Sequence, residues 1–240
     1  MRPDWPTADV HFARALALDP NDALAHAYTA FHSGMLGDCA TSAAAAARAV
    51  AADPLSTFVR AVSVMGFPRT GTPECDSGAA LRAHEVALAM DPNAVVHLWQ
   101  SAIRLSEFGR FDEALERSRR AVELTQRGPV LVGIHGGILA RAGRREEALA
   151  IRTELTDRAR TEYIGPGLFL AMDAHDLGDD DETANLLRSN VDAETGPSAI
   201  YLVAAPELDL LLTHPRLGPL VRQLSLYVQR PGLPPMPAGQ

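Results

Sequence analysis

Eight histidines carry most of the chemical potential of this chain: His11, His26, His32, His84, His97, His135, His175 and His214. Imidazole binds transition metals and exchanges protons near neutral pH, so spacing decides what chemistry is open to them. A helical zinc site needs two histidines four residues apart, and no pair meets that; His84-Glu85 has no second histidine four residues after the first. The spacing predicts no metal centre. His135 and His175, with Asp176 beside the latter, are the one set that could approach across a groove and serve acid-base catalysis or a small-molecule site. Cys39 and Cys75 are 36 residues apart and form no spaced metal or redox motif. They read as free thiols of a reducing compartment.

What is missing narrows the chemistry further. All 22 basic residues are arginine, which removes Schiff-base enzymes and lysine-dependent nucleotide loops. Gly66 and Gly71 have phosphate-loop spacing, but Thr72-Pro73 stands where lysine and a hydroxyl residue are required. No cofactor is expected.

The elements that hold these groups come from a repeating pattern. Ala8, Ser42, Ala80, Ala114, Ala148 and Thr183 are equivalent small residues separated by 34, 38, 34, 34 and 35 positions. Gly37, Gly109, Gly143 and Gly178 each precede the small residue by five, and Asp19-Pro20, Asp53-Pro54 and Asp91-Pro92 close successive units. Apolar residues recur at three and four, as in Phe31 with Met35 and Trp99 with Ile103, which is the helical period. A fixed period of this length overrides a division into globular domains and predicts stacked helix pairs.

The expected fold is an all-α, right-handed solenoid over residues 1–229. It comprises a half repeat at 5–20, repeats at about 21–54, 55–92, 93–127, 128–162 and 163–196, and a cap at 206–229. In the cap, Leu217, Leu220, Val221 and Leu224 would cover the last apolar face. A four-residue insertion in the third pair places a longer turn at 66–73, and 230–240, rich in proline, is expected to be a disordered or extended tail.

Charge argues about partners. The formal net charge of -8 disfavours nucleic acid. Residues 161–200 hold nine acids and one base, Arg188, whereas 104–160 hold twelve arginines and nine acids. A basic partner could dock on the acidic end. No run approaches the roughly 18 apolar residues of a spanning helix, and Met1-Arg2-Pro3-Asp4 lacks an apolar leader. The expectation is a cytoplasmic protein without membrane contact.

The spacing of Ala8, Phe12, Ala15 and Pro20 is that of the second helix and closing proline of a tetratricopeptide repeat, and the chain resembles that family over nearly its whole length. Three segments look like a bacterial subgroup: Asp4-Trp5 before the first Phe-x-x-Ala helix, Arg160-Thr-Glu-Tyr163-Ile-Gly-Pro166, and Thr213-His-Pro-Arg216-Leu. In that subgroup such arrays form the C-terminal half of signalling regulators, behind a nucleotide cyclase, a winged-helix domain or a protein kinase. Residues 1–240 contain none of those domains. The aromatic and leucine-glycine positions of the first helices are mostly replaced, for example by His26, Thr29 and Ala30, and Gln126 replaces a closing proline. The lysine-asparagine clamp of chaperone-binding relatives cannot form in a chain without lysine.

The resemblance implies a non-enzymatic module that binds a protein or peptide segment along the first helices of its pairs. Phe31, Met35, Phe58, Met65, Trp99, Ile103, Glu107, Arg141, Met172 and His175 are placed on that lining, with Trp99 and Met172 as apolar anchors, Arg141 orienting the segment against the acidic end, and Trp99 and Arg141 the stronger hot-spot candidates. Two alternatives stand beside it. One is an enzyme or ligand binder using His135, His175 and Asp176; the other is self-association through the half repeat. Gly133, Gly136 and Gly137 inside a helix cost roughly 0.8–1 kcal/mol each relative to alanine. Close helix packing or a deepened groove would offset that.

Overall fold

The structure, a computed structural model, describes residues 5–65, 77–161, 174–193, 211 and 214–223. Every regular element among them is an α-helix. They are α1 Trp5–Leu18, α2 Ala23–Met35, α3 Cys39–Ala52, α4 Thr57–Met65, α5 Ser77–Met90, α6 Val95–Glu107, α7 Phe111–Leu124, α8 Pro129–Arg141, α9 Arg145–Arg158, α10 Asp180–Ala193 and α11 Leu217–Gln223. A further helical stretch, 174–176, ends ahead of α10. The turn at 66–73, Cys75, Met172, Leu224 and the tail at 230–240 lie outside the described residues.

One local device builds the joints. Four times a helix ends on a glycine in the left-handed region, Gly37, Gly109, Gly143 and Gly178, with φ of 81°, 72°, 76° and 79°. The residue after the glycine returns its N–H to a carbonyl five positions back: Asp38 to Ser33, Arg110 to Leu105, Arg144 to Leu139 and Asp179 to Ala174, all at 2.8–2.9 Å. This satisfies the orphan carbonyls of the helix end, and only glycine adopts that φ without steric cost. The same residue then starts the next helix. Asp38 and Asp179 accept the N–H of Thr41 and Glu182 at 3.0 and 3.1 Å, whereas Arg110 and Arg144 cap without a side-chain bond and pair instead with Glu113 and Glu147. The acidic first turns of α7, α9 and α10 complement the positive helix ends.

Gln126, where a closing proline was missing, sits at φ 51°, followed by Arg127 at 61°. Its turn makes the same bond pattern, Arg127 N–H to Val122 at 2.9 Å, without glycine.

The small residues are the points of closest approach. Ser42, Ala80, Ala114, Ala148 and Thr183 are all 0% exposed, and the Ser42 hydroxyl donates across to the Ala30 carbonyl at 2.7 Å. Two compact units divide the chain within α6, one covering 2–97 and the other 98–226. In the first, α2 packs against both α3 and α4, around Ala27, Ala49, Val59 and Val62, with Ala23 and Phe31 against them. In the second, α8 packs against α7 and α9 around Val122, Val132 and Leu155, with Ile151 and Leu186 added. Gly133, Gly136 and Gly137 are all buried in α8. Leu217, Leu220 and Val221 are buried in α11, which packs against α10.

The thiol expectation is corrected. Cys39 is buried and disulfide-bonded, and its partner lies outside the described residues. Disulfide geometry depends on spatial proximity of two Cβ atoms, which a linear separation of 36 does not reveal. The argument for a reducing compartment falls with it. Separately, no described helix is long and apolar enough to cross a membrane.

Candidate functional site

The first-helix residues divide by what holds them. Met35 is a core side chain at 2% exposure, and Phe31 packs on the core cluster of its unit. Met35 therefore presents no surface to a partner, whereas Phe31 is half-buried, as Trp99 is. Phe58 on α4 is exposed and Met65 half-buried. On α6, Trp99 and Ile103 stand one turn apart, both half-buried, while Leu98, Ala102 and Leu105 on the other side of the same helix are buried. Such a split leaves an apolar strip that the core does not claim. Met172 lies outside the described residues.

The polar members are tied to one another. Glu107 receives Arg104 at 3.2 Å, with both side chains largely buried. Arg141 donates to the Asp176 carboxylate at 2.9 Å and to the Ser106 hydroxyl at 3.2 Å. Ser106, Arg141 and Asp176 are each 35 positions apart, so one repeat period joins the ends of three successive first helices through a single guanidinium. This ladder occupies the arginine. Gly137 belongs to it as well, since a Cβ there would sit 3.5 Å from an Asp176 oxygen.

His135, His175 and Asp176 have separate commitments. His135 Nδ1 is hydrogen-bonded to the Ser118 hydroxyl at 2.7 Å, and Asp176 is held by Arg141. The His175 ring instead meets His214 edge-on, with centroids 5.5 Å apart and planes at 90°. Burial pushes the pKa of both His135 and His175 below the ordinary 6.5, for His175 against the opposing pull of Asp176 and Asp180. Both rings are therefore neutral at pH 7.

A different set converges. His175, Asp180 and His214 each place one ligand-type atom within 4.8 Å of the others. His175 comes from the helical stretch before the Gly178 turn, Asp180 opens α10, and His214 precedes α11. The His214 carbonyl accepts the Gly218 N–H at 2.9 Å, and its Nδ1 accepts the Leu217 N–H at 3.3 Å, so this histidine caps the last helix. Its Nε2 lies 3.6 Å from Asp180. Asp180 also borders an open polar pocket of about 270 Å³ shared with Arg152, Asp179, Asp181 and Arg216.

Sequence reasoning named His175 but neither Asp180 nor His214. The available signal was that His214 follows His175 by 39 residues, close to one repeat, so that adjacent layers would bring them together. Ser106 was missed for a related reason, because Arg141 was weighed alone and not against the positions one period away.

A third feature concerns α1. Phe12 stacks on Tyr28 with ring centroids 6.3 Å apart and meets His32 edge-on, and Asp9 pairs with His32 at 2.7 Å. These contacts fasten α1 to α2. Ala8, however, is only half-buried where its five equivalents are fully buried, and Val10 and Leu18 are exposed.

Comparison with known proteins adds the fold. No family model matches the chain, and no curated protein matches it. Among solved structures it is similar to the crystal structure of the yeast Tom70, at 18% identity and a TM-score of 0.52, over 93% of this chain and 47% of that one. The chain thus spans about half the length of the structure it matches. The likeness, together with the paired helices and glycine turns, makes this an all-α solenoid of tetratricopeptide-like helix pairs.

Proposed function

We propose that the chain is a non-enzymatic protein-interaction module that docks an apolar peptide segment along the first helices of its pairs. The observation that carries this reading is the half-buried strip of Trp99 and Ile103 on α6, set against the buried Leu98, Ala102 and Leu105 behind it. Large apolar and aromatic side chains left partly open on an otherwise well-packed helix are the usual anchors of peptide docking. In the other unit, Phe58 on α4 is likewise an exposed large apolar side chain. Arg141 contributes by holding three first helices in register and not by meeting the partner.

The resemblance to arrays of bacterial signalling regulators supports a regulatory setting, in which the module presents a partner to an effector. The test is capture of partners on the intact protein and on a Trp99→Ala/Ile103→Asp variant whose helicity is unchanged. A protein retained by the first and lost by the second, with affinity down at least tenfold, supports the reading. Equal retention sinks it, and retention of a small molecule alone would move a ligand-binding role ahead.

Self-association through α1 is the second reading, and the incomplete burial of Ala8, with Val10 and Leu18 exposed, favours it. Its five equivalents are covered within their repeats, so α1 offers a face shaped for another helix. A light-scattering mass that stays monomeric from micromolar to millimolar concentration ends that reading.

A further inference from the structure

We propose that His175, Asp180 and His214 bind one divalent transition-metal ion, zinc by ligand chemistry, and that the ion fastens the turn ahead of α10 to the C-terminal helix α11. The inference is independent of the partner-binding reading and rests on three observations.

First, the donor set is right for such an ion. Two imidazoles and a carboxylate suit zinc and its first-row neighbours, and the absence of thiolate leaves no preference for softer metals. Ligand bonds of about 2.0–2.2 Å in a tetrahedron put neighbouring donor atoms roughly 3.4 Å apart. His214 Nε2 and Asp180 Oδ1 are already 3.6 Å apart, and all three donors lie within 4.8 Å. Closing the two sides that involve His175 needs at most about 1.4 Å of side-chain movement, the difference between 4.8 Å and the roughly 3.4 Å tetrahedral separation.

Second, the site contains one polar group that nothing satisfies and one that is only loosely paired. His175 Nδ1 is buried and makes no hydrogen bond. Of the aspartates around it, Asp176 is taken by Arg141 at 2.9 Å, Asp179 by Arg152 at 3.2 Å, and Asp181 by Arg216. Asp180 alone of these four has its nearest cationic partners, His214 and Arg216, at 3.6 Å, although its side chain is only 22% exposed. A buried His175 nitrogen without a hydrogen bond, and a carboxylate whose two cationic neighbours stand off at 3.6 Å, are groups that a cation among these side chains would satisfy better.

Third, the three ligands are held by separate, well-fixed elements. The Gly178 turn fixes His175 relative to Asp180, and backbone bonds at Leu211 and Gly218 fix His214. Ligation through His214 Nε2 moves that ring's proton to Nδ1 and gives up the long 3.3 Å contact from Leu217 N–H. Asp180 also lines an open polar pocket. Three protein ligands with one open position is the arrangement found in accessible zinc sites.

The test uses the full chain without a histidine tag, stripped with chelator and titrated with zinc chloride by calorimetry. Thermal unfolding is followed in parallel, and cobalt(II) serves as a visible-absorption probe of coordination. Expected are one ion per chain, a raised unfolding midpoint, and tetrahedral cobalt bands. His175→Gln and Asp180→Asn, each verified as folded by circular dichroism, should weaken binding at least tenfold and abolish the bands. His214→Gln serves as the third variant if either fails to fold. An unfolding midpoint that does not respond to a tenfold excess of zinc overturns the proposal. So does zinc binding of wild-type strength in the folded variants, which would put the ion on other histidines.

Discussion

Two histidine pairs sit at nearly the same ring separation, 5.1 Å for His84 with His97 and 5.5 Å for His175 with His214, yet their surroundings make them different objects. The first pair is 1% exposed at both residues. His97 Nε2 donates to the Thr57 carbonyl at 2.8 Å, so its Nδ1 must accept, and His84 Nδ1 donates to it at 2.8 Å. Each of these two contacts has one donor and one acceptor, and neutral rings satisfy both. The second pair is half-buried, with one nitrogen unsatisfied and a carboxylate at 3.6 Å. A satisfied buried pair specifies a core, whereas an unsatisfied and accessible one is a place where something can bind.

The sharpest way to break this contrast is to delete one ring from each pair. His97→Ala should cost about 3 kcal/mol, because it opens a cavity at a fully buried ring and removes its bonds to the Thr57 carbonyl and to His84. Chemical denaturation should show that loss directly. His175→Ala, measured with chelator present, should cost under about 1 kcal/mol, since the ring is only partly buried and makes no bond through Nδ1. Equal losses at the two sites would mean that both pairs are structural.

Acid provides a gentler form of the same experiment. Burial holds His97 below the ordinary 6.5, against the opposing pull of the Thr57 carbonyl. Burial also lowers His135 and His175. Groups with a depressed folded-state pKa bind fewer protons folded than unfolded, so they add stability above about pH 6.5 and lose it as pH falls from there towards the lowered values. The unfolding midpoint should therefore decline below pH 6.5, and His97→Gln should flatten part of that decline. In the wild-type pair, protonation would set two N–H groups against each other across 2.8 Å. A midpoint unchanged between pH 7.5 and 5.5 would contradict the neutral pair.

The architecture was legible because periodicity is a property of the sequence itself. Gly37, Gly109, Gly143 and Gly178 announced turns that need a positive φ, and the small residues from Ser42 to Thr183 announced helix contacts that admit no larger side chain. Side-chain pairings one period apart were harder to see. Arg141 stood out as an arginine at a hot-spot position, but its partners Ser106 and Asp176 lie 35 residues away on either side, and only stacking brings them within 3.2 Å. Met35 looked the same as Trp99 in helical phase, and burial separates them because the tight α2 and α3 contact closes over one and not the other. Asp180 was read as part of a diffuse acidic end. Its distinction emerges only once the arginines have chosen Asp176, Asp179 and Asp181.

That last point yields the finest test, within a single acidic cluster. Asp176 and Asp180 lie four residues apart and are similarly shielded, at 11% and 22% side-chain exposure. Asp176→Asn removes the counter-charge of a guanidinium that is itself 19% exposed, and loosens the rung between Ser106 and the 174–176 stretch. The cost should be about 1–2 kcal/mol, less than for a fully buried pair because water still reaches the arginine. Asp180→Asn breaks no contact shorter than 3.6 Å, so in the chelated protein it should change stability by no more than about 0.5 kcal/mol. It should even remove some repulsion from Asp179 and Asp181. If Asp180→Asn proved as damaging as Asp176→Asn without metal, Asp180 would be a structural partner of Arg216 and His214. A neutral Asp180 beside a costly Asp176 instead leaves the carboxylate without a role in the metal-free fold, as a residue kept for a ligand would be.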